Sequence, residues 1–410
     1  MKYVIIGNSA AAVGCIEGIR SVDPEGSVTV ISDEPYAVYS RPLISYLLYG
    51  KTDLERMKYR PDDFYEKNGV KTILGVRAVK VNRAAKEVIL SDGRRVPFER
   101  LLFATGSRPF VPPMDGLDRV EKKFTFMKLD DAKALEAALT KESRVLIVGA
   151  GLIGLKCAEG IRNRVRSIAV VDLANRILPS ILDETGSVMV QKYIESFGIR
   201  FILGDSVEHF NPGLARLKSG GEVPFDVLIL AVGVRPNTQL AAEIGCKTGR
   251  GIVIDSHSAT SLPDVYAAGD CCECRDITTN SSRVLAILPN AYLQGETAGI
   301  NMAGGEKSFD KAIPMNAIGF FGLHIITAGS YDGEAWTEQT EKTYKKLVSK
   351  DGLLKGYILI GDVARAGIYT SLIREQTPLD SIDYELIKKK PQLMAFTAER
   401  RREMLGGVQS

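Results

Sequence analysis

The chain has 410 residues, of which 45% are hydrophobic and 25% charged, with a formal net charge of +3. That length suggests two or three domains, and the composition is that of an ordinary globular protein. So small a charge on so long a chain argues against nucleic acid or a membrane surface as partner, and no apolar run reaches the roughly 18 residues of a membrane span.

The N-terminus runs straight into "KYVIIGNSAAAVGCIEGIR" (2–20), which reads as strand, tight turn and helix, followed by the β-rich run "SVTVISDE" (27–34). No cleavable leader is evident, and a cytoplasmic protein is expected. Gly7 keeps the first glycine of a G-x-G-x-x-G turn, while Ser9 and Ala12 stand at the second and third places. Alanine is an accepted variant at the last place. Ser9 narrows the approach of a pyrophosphate, yet brings a hydroxyl able to bond one. Ser32 takes the strand-end place of a ribose-binding acid, with Asp33 and Glu34 next to it. One of these two is expected at the ribose, and the sequence does not choose between them. Taken alone, this motif is weak.

The second unit is cleaner. "SRVLIVGAGLIGLKCAEGIR" (143–162) carries Gly149, Gly151 and Gly154 in a full G-x-G-x-x-G, with Leu152 and Ile153 between the last two glycines. In such a turn the first glycine permits the bend, the second admits a pyrophosphate and the third allows close helix–strand packing. Asp172 closes the next strand 23 residues after Gly149, where a carboxylate accepts bonds from ribose hydroxyls. Leu173 follows rather than an arginine, so NADH is expected over NADPH, although Arg176 lies close by. Two βαβ units of this kind predict two dinucleotide-type domains.

Three further segments end apolar strands in a turn. "LLFATGSRPFVPP" (101–113) and "LILAVGVRPNTQL" (228–240) are twins, and "TSLPDVYAAGDCCE" (260–273) ends in Gly269-Asp270. Any one alone is no more than a strand-to-loop exit. The helix opened by "LPNAYLQGETAG" (288–299) follows, then the apolar run "IGFFGLHIITAG" (318–329), expected as one strand of core or dimer surface. Cys271, Cys272 and Cys274 read as small buried side chains, and His209, His257 and His324 have no metal-ligand companions at helical spacing, so no metal site is expected. The basic runs Lys388–Lys390 and Arg400–Arg402 read as solvated helix faces, with steering of an acidic partner as the alternative.

The order of these segments resembles the two-dinucleotide-binding-domain flavoproteins, the FAD/NAD-linked pyridine nucleotide oxidoreductases, from residue 1 to about 310. The resemblance implies an α/β fold with two Rossmann-like domains. An FAD domain, 1–112 and 238–312, is split by an inserted NAD domain, 113–237, and a small α+β C-terminal domain spans 313–410. On the FAD side it implies contacts from Gly7, Ser9, Ala10, Ala11 and Ala12, from Asp33 and Glu34, from Arg41 and Pro42, and from Ala78. Ala104, Thr105, Gly106 and Arg108 of the first twin join them, with Gly269 and Asp270 at the ribityl chain and Pro289 and Ala291 at the start of the helix facing the flavin. On the NAD side it implies Gly149, Gly151, Leu152, Ile153, Gly154, Asp172, Val232 and Gly233.

Within that family the chain is most similar to the rubredoxin reductase and nitrite reductase-like branch. The carriers are "YSRPLIS" (39–45), "GLIGLKCAE" (151–159) and "LLKGYILIGDVARAGIYTSLIRE" (353–375). NADH oxidases and coenzyme A-disulfide reductases place a cysteine where Pro42 stands and typically a glutamate where Lys156 stands. Proline forms no thiolate. "MKYVIIGNSAAAVG" and "YSRPLISYLL" also look like FAD subunits of NAD-linked 2-oxoacid (phenylglyoxylate) dehydrogenases and like ferredoxin:NAD oxidoreductases associated with carbon monoxide dehydrogenase. The resemblance therefore implies an FAD- and NAD-dependent oxidoreductase exchanging electrons with an iron–sulfur partner of ferredoxin or rubredoxin type, without a redox thiol, and possible as a homodimer. The rivals are an NADH oxidase or nitrite reductase-like component, and an FAD-binding sensor or assembly module.

Overall fold

In the computed structural model of the chain the described residues are 1–405. They divide into two compact units, one of residues 1–274 and 282–310, the other of 275–281 and 311 onward.

The first unit opens with β1 (Lys2–Ile6), α1 (Ala10–Arg20) and β2 (Ser27–Ser32), followed by the short helix α2 (Ile44–Tyr49) and β3 (Val70–Leu74). The strands are rich in valine and isoleucine and pair in parallel, and central β1 and β2 are buried almost throughout, as a sheet covered on both faces requires. β4 (Arg100–Phe103) joins on the other side of β1, and β5 (Ser107–Pro109) leaves the sheet. A second parallel sheet is then built from β6 (Lys123–Phe124), β7 (Arg144–Val148), helix α3 (Leu152–Ile161), β8 (Ser167–Asp172), β9 (Ile199–Leu203) and β10 (Val227–Leu230). β11 (Val234–Pro236) runs back along β5 in an antiparallel ribbon, with Arg235 opposite Arg108. β12 (Val265–Ala267) returns to the first sheet and helix α4 (Leu288–Met302) covers it. The strand orders are β12-β4-β1-β2-β3 and β9-β8-β7-β10-β6. Both are open parallel sheets of the doubly wound kind, so the α/β fold with two Rossmann-like sheets is as expected.

The two sheets repeat one another at their carboxyl ends. Gly7 N–H donates to Ile31 O and Gly149 N–H to Val171 O, each at 2.8 Å. Ala104 N–H donates to Ile6 O and Ala231 N–H to Val148 O, also at 2.8 Å. The twin segments are thus the same structural piece in each half.

Helices α1 and α4 cross at backbone contact. A Cβ on Gly14 would lie 2.2 Å from Tyr292 O, on Gly295 2.0 Å from Ala11 O, and on Gly299 2.2 Å from Cys15 O. The small residues of "AAAVGCIEG" and "AYLQGETAG" are thus a packing requirement.

The second unit is an antiparallel sheet ordered β13-β14-β17-β16-β15, comprising β13 (Met315–Phe320), β14 (Leu323–Gly329), β15 (Glu334–Gln339), β16 (Tyr344–Lys350) and β17 (Leu353–Ile360). Helix α5 (Ala366–Arg374) packs on it through Tyr369, Leu372 and Ile373. The apolar run at 318–329 is not one strand. It turns at Phe321 and Gly322, both at positive φ (51° and 96°), and forms a hairpin whose Phe320 is buried. Uniform hydrophobicity across the turn hid the break. No described helix is long and apolar enough to cross a membrane.

Candidate functional site: two glycine cradles and the groups around them

Each glycine loop sits where a β-strand feeds a helix. Gly7 has φ of 118° and a Cβ there would meet Ala104 O at 2.0 Å; Gly149 has φ of 116° and would meet Ala231 O at 2.3 Å. Side chains are excluded at both by conformation and by space. Gly154 is held by packing alone, since a Cβ there would lie 2.0 Å from Gly149 O. Gly151, which caps α3, differs: a Cβ there would meet nothing within 4 Å. Glycine at that place serves no internal contact. It keeps open the space before the helix N-terminus, where an anionic phosphate is favoured by the exposed N–H groups. Leu152 and Ile153, the first residues of α3, are only partly buried, and Gly233 is exposed beside partly buried Val232. The cradle therefore fits the pyrophosphate of a dinucleotide.

On the first sheet, Ser9 caps α1 in extended conformation without a side-chain capping bond. Ala10, Ala11 and Ala12 behind it are buried. Gly269 comes against this helix: its Cβ would lie 3.3 Å from that of Ala11 and 3.5 Å from that of Ala291. The turn at Gly269-Asp270, the start of α1 and the start of α4, with Pro289 in its first turn, thus meet at one place. Gln294 fastens them, its Oε1 accepting from Gly269 N–H at 2.9 Å while Ser258 Oγ donates to its carbonyl. Nothing in the sequence marks Gln294 for this, since a buried amide is recognised only by the backbone group it meets.

Asp270 is partly buried. Burial lifts its carboxyl above the usual range, opposed by the Arg41 guanidinium and a hydrogen bond from Ser107. A partly desolvated carboxyl at this turn is suited to bonding a hydroxyl. Arg41 in turn pairs with buried Glu34 at 2.5 Å, and Tyr39 donates to the other Glu34 oxygen at 2.7 Å. Asp33 faces Lys128 at 3.0 Å and Arg77 at 3.7 Å. Burial raises its carboxyl, but these cations hold it below the ordinary range. Both acids that the sequence left open are thus engaged with basic side chains. Pro42 lies exposed in the turn Arg41–Leu43 that leads into α2. Ala78 is buried in the core cluster that also holds Val4 and Ile31.

Around the second loop, Asp172 accepts from Ala150 N–H at 2.6 Å and from Ala174 N–H at 2.7 Å, one bond to each oxygen. Its carboxylate therefore shapes the glycine loop as well as facing the strand end. Leu173 is 74% exposed, and the buried Arg176 Nε has no hydrogen-bond partner among the described residues. The twin turns are tied together: Asn237 N–H donates to Gly106 O at 2.9 Å, and Arg108 reaches Asn237 Oδ1 at 3.0 Å. All six cysteines are buried and none is in a disulfide. Cys271 donates to the carbonyls of Phe103 and Ala268. Among the described residues no cluster of His, Cys, Asp and Glu is arranged to hold a metal.

Residues 1–295 match the family described as pyridine nucleotide-disulphide oxidoreductase. The chain belongs to this family. Residues 314–377 match the rubredoxin NAD+ reductase C-terminal domain. Among relatives in the oxidoreductase family, the NADH-dependent phenylglyoxylate dehydrogenase subunit epsilon of Aromatoleum evansii is 32% identical over 393 residues, covering 92% of each chain. The nitrite reductase [NAD(P)H] of Bacillus subtilis is 30% identical, but this chain, though 92% covered, spans only 48% of it. The solved covalent putidaredoxin reductase–putidaredoxin complex matches 99% of each chain with a TM-score of 0.88 at 22% identity, a likeness of fold.

Proposed function

We propose that this protein transfers electrons between NAD(H) and an iron–sulfur protein of ferredoxin or rubredoxin type through a bound FAD, with no cysteine in the path. FAD, when bound, exchanges a hydride with the nicotinamide and can pass electrons singly. The chain's residues bind and orient. Gly151 leaves the NAD pyrophosphate its space, and Asp172 meets the ribose while bracing the loop. Asp270 and the start of α4 hold the FAD, the helix N-terminus favouring negative charge on the reduced ring. Gly7, Ser9 and Arg41 serve its pyrophosphate.

The observation that carries the thiol-free reading is the turn Arg41–Leu43: Pro42 is exposed there, while every cysteine is buried elsewhere. The match of 314–377 to a rubredoxin reductase domain supports the choice of partner. In this reading 1–112 and 238–312 bind FAD, 113–237 bind NAD(H), and 313–410 form an interface domain that also serves a homodimer. The separate parallel sheets support that division, and six buried cysteines outside disulfides suit a reducing cytoplasm.

The test is direct. The purified protein is yellow, releases FAD on denaturation, and on mixing with NADH reduces a ferredoxin or rubredoxin rapidly and coenzyme A disulfide negligibly. Serine at Cys271, Cys272 and Cys274 leaves this largely intact. Strong disulfide reductase activity that disappears with a cysteine would overturn the thiol-free route, and flavin that NADH leaves oxidised would favour a sensor or assembly role.

A further inference from the structure

One buried ionic group has no part in the scheme above. Lys156 and Glu159 form an ion pair on α3, with side chains only 17% and 6% exposed. The Lys156 ammonium also lies 4.3 Å from the centre of the Tyr46 ring, on α2. The two helices touch closely, since a Cβ on Gly160 would lie 2.8 Å from Ser45 O, and Arg164 Nε donates to Leu48 O at 2.5 Å.

Its place in the chain gives this cluster meaning. Gly151 caps α3, and Lys156 lies five residues on, about 7.5 Å along the helix. Tyr46 lies four residues after Pro42, in the helix that follows the turn Arg41–Leu43. The cluster therefore links the helix that the second cradle opens to the helix that follows the Pro42 turn. A charge removed from water costs several kcal/mol unless well paired, and packing alone at this contact would be served as well by an apolar pair.

We infer that Lys156 is a positioning residue for hydride transfer. Glu159 and Tyr46 hold its ammonium between α3, which the second cradle opens, and α2, which follows the turn whose Arg41 acts on Asp270 of the first cradle; there a cation in a low-dielectric setting favours the electron-rich reduced state of the flavin. The inference rests on FAD and NAD(H) occupying the cradles as proposed.

The experiment compares Lys156→Met, Lys156→Arg and Glu159→Gln in the flavin-loaded protein. The flavin midpoint potential is measured by chemical reductive titration without NADH, and flavin reduction is followed against NADH concentration by stopped flow. Lys156→Met is expected to shift the potential to more negative values and to slow reduction at saturating NADH about tenfold, with a smaller change in apparent NADH affinity. Lys156→Arg stays near wild type, and Glu159→Gln, which unmasks the cation, shifts the potential the opposite way. A wild-type potential in Lys156→Met, or shifts of one sign in Lys156→Met and Glu159→Gln, would overturn the inference. If Lys156→Met does not fold, Lys156→Gln is read by the same criteria. Wild-type flavin that NADH leaves oxidised would count against the functional reading instead, because the potentials are obtained without NADH.

Discussion

Asn237 and Thr105 exchange two hydrogen bonds: the Asn237 side-chain amide donates to Thr105 O at 2.8 Å, and Thr105 Oγ1 donates to Asn237 O at 2.6 Å. Thr105 lies just after β4 and Asn237 just after β11, so the pair ties the exit from the first sheet to the end of the returning ribbon. Asn237→Ala removes the amide donor and leaves a partly buried carbonyl unmatched. A loss of about 1–2 kcal/mol in denaturant unfolding is expected. Hydrogen exchange should rise along the β5–β11 ribbon first, and exchange uniform over the molecule would contradict this.

The α1–α4 crossing tolerates no added carbon. Gly295→Ala places a methyl 2.0 Å from Ala11 O, which belongs to backbone and has no rotamer to yield. Overpacking of this kind costs about 1–3 kcal/mol or more. Because Ala11 and Ala291 both flank Gly269, FAD retention should fall together with stability. Gel filtration with absorbance at the flavin band measures both, and full flavin content in Gly295→Ala would refute the coupling.

Acid sensitivity is expected at the base of the second sheet. Arg144 bonds Asp226 through Nη2 at 2.7 Å, Nε at 3.0 Å and its backbone N–H at 2.8 Å. The guanidinium holds the Asp226 carboxyl at about 2, below its ordinary 3.8. A depressed carboxyl stabilises the fold above the unfolded value and loses that contribution as pH falls from 3.8 towards 2. Both side chains are about two-fifths exposed, so the contribution is modest, about 1 kcal/mol or less. Asp226→Asn should flatten the stability curve in that window, read by thermal melts across pH, and an unchanged slope would dismiss the linkage.

NADH should reduce the flavin faster than NADPH at equal concentration. Asp172 repels a 2′-phosphate, and Leu173 adds no compensating charge. Asp172→Ser should narrow the preference and also weaken NADH, because the bonds to Ala150 and Ala174 N–H that shape the loop are lost. Faster reduction of the native protein by NADPH would mean that Arg176 governs the choice.

Much of this was legible in one dimension. Glycine loops, twin strand ends and the "YAAGD" segment are local: their residue types answer to a backbone bend or a strand exit a few positions away, so order along the chain revealed two parallel sheets and their carboxyl-end turns. Groups that matter through distant neighbours were not. Gln294 means nothing until Gly269 N–H arrives 25 residues away, and Asn237 needs Thr105 across 132. Asp33 and Glu34 stood as equals until folding gave Lys128 to one and Arg41 to the other. Lys156 stood in the sequence only as a mark of the branch, and nothing there singled out Tyr46. Packing of α2 on α3 brought them together, because the energy of a buried charge depends on what surrounds it in space.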